Sequence, residues 1–88
     1  MKSLNLSWDS IEHEGPGVFD EAYLAAKRKE LITAEKEGVS VSINFIRSEP
    51  SWVRECQLDK PMEDFYAAAL QHAQRRLKNC KAVSSWHF

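Results

Sequence analysis

The amino-acid sequence predicts an α+β domain with two helices laid on one face of an antiparallel or mixed β-sheet. Three observations carry this. Val39, Val41, Ile43 and Phe45 alternate with Ser40, Ser42 and Asn44, the period of a strand with one dry and one wet face. Met62, Phe65, Tyr66, Ala69, Leu70, Ala73, Leu77 and Cys80 recur at three- and four-residue steps, the stripe of a helix packed on a core. The 88 residues are 43% hydrophobic with only three Gly and three Pro, which places the chain among ordered globular proteins with room for one core, a single domain over 1–88.

Along the chain, Leu4, Leu6 and Trp8 alternate with Ser3, Asn5 and Ser7 and read as a first strand. Asp9 to Gly17 reads as a loop, ended by the turn-forming Gly15-Pro16-Gly17. Helix-favouring residues follow from Val18 to Glu37, with Asp20 and Glu21 near the positive end of the helix dipole and Gly38 as the closing glycine. After the Val39–Ile46 strand, Ser48-Glu49-Pro50-Ser51 reads as a turn and Trp52–Leu58 as the returning strand of a hairpin, with Trp52, Cys56 and Leu58 facing inward. Pro61 is suited to the first position of the second helix, where Glu63 and Asp64 also fit. Residues 82–88 form an edge strand or a tail. The order is therefore β-α-β-β-α: with a fourth C-terminal strand it is the ferredoxin-like split βαβ arrangement, and without it a three-stranded variant. Arg54 and Glu55 fit a central strand poorly.

The composition sets aside several functions. The formal charge of −1 gives no overall attraction to polyanions, and no apolar run is long enough to span a membrane. The first residues lack the apolar core of a signal peptide, so a cytoplasmic location is expected. Cys56 and Cys80 are then expected to be packed thiols rather than a disulfide framework. No cofactor is expected. His13, Cys56, His72, Cys80 and His87 form no short-spacing metal motif, so no metal is expected either.

Cys56 with His72 or His87 is the one arrangement from which a nucleophile and base can be drawn, and nothing in the spacing brings them together. Glu12 with Glu14 reads as part of a solvated loop, and Gly15-Pro16-Gly17 lacks the further glycines and lysine of a phosphate loop. The expectation is therefore no catalysis.

Two binding readings are left. Three tryptophans are many for a small domain. Trp8 is assigned to the core, while Trp52 and Trp86, with Ile46 on the otherwise polar strand face, are the candidate anchors for a partner protein or a second copy. The leading expectation is thus a small non-enzymatic protein-binding module, a regulator or inhibitor that occupies a partner's surface. The alternative is nucleic-acid binding through His72, Arg75, Arg76, Lys78 and Lys81, in a segment (71–88) without an acidic residue. The small polar residues of the sheet's open face give no platform for stacking bases.

Overall fold

A computed structural model describes residues 2–88. Its elements are β1 (Lys2–Ser7), α1 (Trp8–Ile11), α2 (Glu21–Glu37), β2 (Val41–Ile46), α3 (Trp52–Glu55), α4 (Met62–Arg76) and β3 (Val83–His87). The strands form one sheet in the order β1-β2-β3, and both pairings are parallel.

This corrects the expected antiparallel or mixed sheet, and the reason lies in residues 47–61. Trp52–Leu58 is not a strand. Val53 N–H donates to Pro50 O and Cys56 N–H to Trp52 O, which closes a helical turn after the buried Pro50. Arg54 and Glu55 are exposed on that turn, and Cys56 is exposed rather than inward-facing. Without the hairpin, β2 connects to the next strand only through α3 and α4, a crossover that returns the chain parallel to β2. Residues 83–87 are then the third strand rather than a fourth. The first loop also differs, since Trp8–Ile11 is a short helix.

Both long crossovers step the same way across the sheet, and right-handed connections then place α2 and α4 on one face. The core lies between. Leu4 and Leu6 of β1 and Val41, Ile43 and Phe45 of β2 pack with Leu24, Leu31 and Ala34 of α2 and with Ala69 and Ala73 of α4. Each fully buried leucine or isoleucine contributes about 1.5–3 kcal/mol. Asp20 caps α2 by accepting from Tyr23 N–H at 3.0 Å, and Gly38 ends the helix at φ 71°, where a side chain would be strained.

Under the carboxyl ends of the strands lies an aromatic cluster. Trp8 meets Trp52 edge-on at 6.0 Å and Tyr66 at 5.4 Å, Trp52 meets Phe65 at 5.7 Å, and Phe45 meets Tyr66 at 5.6 Å. Its polar centre is Glu12, 1% exposed, which accepts from Trp8 Nε1–H at 2.8 Å and from Gly17 N–H at 2.6 Å. The Glu12 carbonyl accepts from Trp52 Nε1–H, so both indole donors are satisfied inside the core.

Candidate functional site

Alternation along the strands fixes what the uncovered face of the sheet presents. With Leu4, Leu6, Ile43 and Phe45 turned to the helices, Ser3, Asn5 and Ser7 of β1 and Ser42, Asn44 and Ile46 of β2 turn away. β3 adds Ser85, opposite Ser42, and His87, opposite Asn44. These residues bond across the strands. Asn44 Nδ2–H donates to Asn5 Oδ1 at 3.2 Å, the Ser42 and Ser85 hydroxyls are 3.4 Å apart, and Ser85 Oγ lies 3.0 Å from His87 Nε2. The face is neutral, small-residued and rich in donors and acceptors. Ile46, 45% exposed, is its one large apolar side chain among the described residues.

The three candidate anchors separate. Ile46 is on the open face as expected. Trp52 is 3% exposed and belongs to the aromatic cluster, so it presents no surface to a partner. Trp86 stands opposite Ile43 on the helix side of the edge strand and is half-buried against the core.

The five cationic candidates also divide. His72 and Arg76 are turned to α2: His72 Nε2 lies 3.0 Å from Glu21 Oε2, and Arg76 Nε–H and Nη2–H donate to both Glu21 oxygens at 3.1 Å. The Phe19 ring stacks on His72 at 4.1 Å. The Arg76 guanidinium, then His72, hold the Glu21 carboxyl below its ordinary pKa. Arg75, Lys78 and Lys81 are exposed and carry no acidic partner among the described residues.

Cys56 and the histidines are not brought together, since His72 is held by Glu21 and Phe19 and His87 by Ser85. Cys80 is half-buried, with Arg28 Nη1 3.7 Å from its sulfur; the same guanidinium donates to the carbonyls of Arg76 and Lys78 and so closes the C-terminal end of α4. Among the described residues no three His, Cys, Asp or Glu side chains converge on a point that would hold a metal ion, and no helix is long and apolar enough to cross a membrane.

Strand order decides what the carboxyl ends of the strands can offer. Open parallel sheets bind ligands where successive crossovers diverge, and here strand order follows chain order, so no such switch point exists. The depressions at that end are open, one lined by the mixed charges of Arg47, Glu49, Arg54 and Glu55 and one by His13 with the carboxylates of Glu14, Asp20 and Glu21. Sequence reasoning missed Glu12, which it placed in a solvated loop. The available signal was the i, i+4 spacing of Trp8 and Glu12, which aligns an indole donor and a carboxylate on one helical turn. No protein family, curated protein or solved structure matches this chain.

Proposed function

We propose that the chain is a non-enzymatic protein-binding module, a small regulator or inhibitor that engages a partner protein with the open face of its sheet. One observation carries the reading: the sheet is wholly parallel and helices cover only one of its faces. Parallel sheets ordinarily have both faces covered. The open face is neutral and hydrogen-bonding, with Ile46 as an apolar point of purchase and His87 at its margin. Such a face suits the polar, wet contacts of non-obligate association better than a permanent dry interface. The three strands give it a width of roughly 10–15 Å, so it supplies the centre of an interface whose rim comes from neighbouring loops. The nucleic-acid reading has less support, because Glu21 engages two of its five cations.

The test places a photo-crosslinking residue at Asn44, at His87 and, as a control, at Lys29 on α2, and exposes each protein to extract from the native host. The expected result is one shared host protein captured from Asn44 and His87 and absent from Lys29. Capture that is equal from all three positions, or none from the first two, would overturn the reading.

A further inference from the structure

The sheet ends on two edge strands, β1 and β3, and they are finished differently. β3 joins β2 through a register shift at Val41 and Ser42, with the Ser84 hydroxyl donating to Val41 O, and such a bulge turns an edge away from further pairing. β1 has no such device. Its six residues run in unbroken register with Val41–Ile46, without a proline and without a charge after Lys2. Lys2 N–H donates to Ser40 O, so in a parallel ladder the backbone groups of Lys2, Leu4 and Leu6 point to β2 and those of Ser3, Asn5 and Ser7 point outward. Among the described residues no backbone group bonds to that outward row except the first turn of α1, which takes the Ser7 carbonyl. Lys2, Ser3 and Asn5 are exposed.

The flank of α2 beside this edge is open as well. Glu21, Leu24, Ala25 and Arg28 meet Arg76 of α4, whereas Ala26, Glu30 and Thr33, at four- and three-residue steps on the other side, line an open groove of about 320 Å³ with Lys2 and Lys29. Leu31 and Ala34 lie over Leu4 of β1 and Val41 of β2, so α2 straddles the two strands it joins.

We infer that two copies of this chain pair through β1, antiparallel about a two-fold axis at Asn5, into one six-stranded sheet. The strand is complementary to itself in that register. Asn5 exchanges N–H···O bonds with Asn5 of the second copy, and Ser7 N–H donates to Ser3 O in each direction. On the open face Ser3 stands opposite Ser7 of the second copy, on the helix side Leu4 stands opposite Leu6, and no charged residue is paired. The axis is perpendicular to the sheet, so both α2 helices share one side. Two strand spacings separate them, about 10 Å, an ordinary helix packing distance that a residue as small as Ala26 permits. An extended peptide would satisfy the strand edge alone. A second copy satisfies the edge and also lays the matching flank of its α2 over the groove, which makes it the occupant the geometry favours. The pairing joins two open faces into one roughly 25–30 Å wide, and it does not depend on what that face binds.

The test is sedimentation of the whole chain from about 1 μM to about 1 mM, with amide hydrogen exchange measured at both ends of that range. The expected average mass climbs from 10.1 kDa toward twice that value as concentration rises. The amides of Asn5 and Ser7 exchange more slowly at the high concentration, and those of β3 do not change. Asn5→Pro removes an N–H that no bond within the chain uses, and should weaken association by at least about tenfold with an unchanged circular dichroism spectrum. Asn5→Ala keeps the N–H and still associates, and so does Ile46→Lys on the open face. The exchange measurement needs no variant, so it decides the matter even where Asn5→Pro fails to fold. A mass of 10.1 kDa throughout, association without slower exchange at Asn5 and Ser7, or association lost with Ile46→Lys and kept with Asn5→Pro would each overturn the proposal. So would a chain that stays monomeric while a photo-crosslinking residue at Ser3 captures a host protein, which would assign the edge to a partner's strand.

Discussion

Two carboxylates, Glu12 and Glu21, are held in opposite ways. Glu21 stands at the surface, its side chain 52% exposed, with three hydrogen bonds from His72 and Arg76. Glu12 has no cationic partner among the described residues, is 1% exposed, and accepts from an indole and a backbone N–H. Counting ion pairs would rank Glu21 the more important for the fold. Burial reverses the ranking, because an exposed pair exchanges one good solvent for another, whereas removing a buried acceptor strands its donors.

The largest expected effect comes from the aromatic shell around Glu12. Trp52→Ala removes a buried indole that touches Trp8 and Phe65 and donates to the Glu12 carbonyl, and should cost about 3–5 kcal/mol in a denaturant titration. A cost below about 1 kcal/mol would detach Trp52 from the core and return it to the role of a surface anchor.

Glu12→Ala comes next. It leaves Trp8 Nε1–H and Gly17 N–H without their acceptor, at an expected cost of about 1–3 kcal/mol by the same measurement. Glu12→Gln keeps one acceptor oxygen and should fall between wild type and Glu12→Ala. Equal losses for the two variants would show that the carboxylate's charge matters rather than its capacity to accept.

These residues also mark where the sequence is legible. The strand Val41–Ile46 and the helix Met62–Arg76 follow from periods of two and of three to four, because each has one face in the core along its whole length. Residues 47–58 mislead, because Ser-Glu-Pro-Ser begins a hairpin turn and a helical turn with the same residues. The choice between them is made by Trp52 reaching Glu12, a contact forty positions back along the chain. The reversed topology then hides the rest. The expected Trp52 anchor becomes core, and Glu21 at the start of α2 is brought against His72 and Arg76 of α4, more than fifty positions further along the chain.

The smallest effect belongs to Glu21 and is sensitive to pH. Arg76 and then His72 lower the Glu21 pKa, while the His13 bond and the Tyr23 N–H lower that of Asp20 beside it. A carboxyl whose pKa is lower in the folded chain than in the unfolded one stabilises the fold above its unfolded value, and that contribution disappears as pH falls through the folded value. Melting temperature should therefore decline as pH drops below about 5 and go on declining until the lowered folded-state values of the two carboxyls are passed. Glu21→Gln should make the decline shallower and cost about 0.2–1 kcal/mol at neutral pH, less in high salt, because solvent screens an exposed pair. Glu12→Gln supplies the contrast, since its neutral-pH cost should hardly change with salt: no mobile ion reaches a carboxylate enclosed by Trp8 and Gly17. If the two variants responded alike to salt, enclosure would not be what distinguishes these carboxylates.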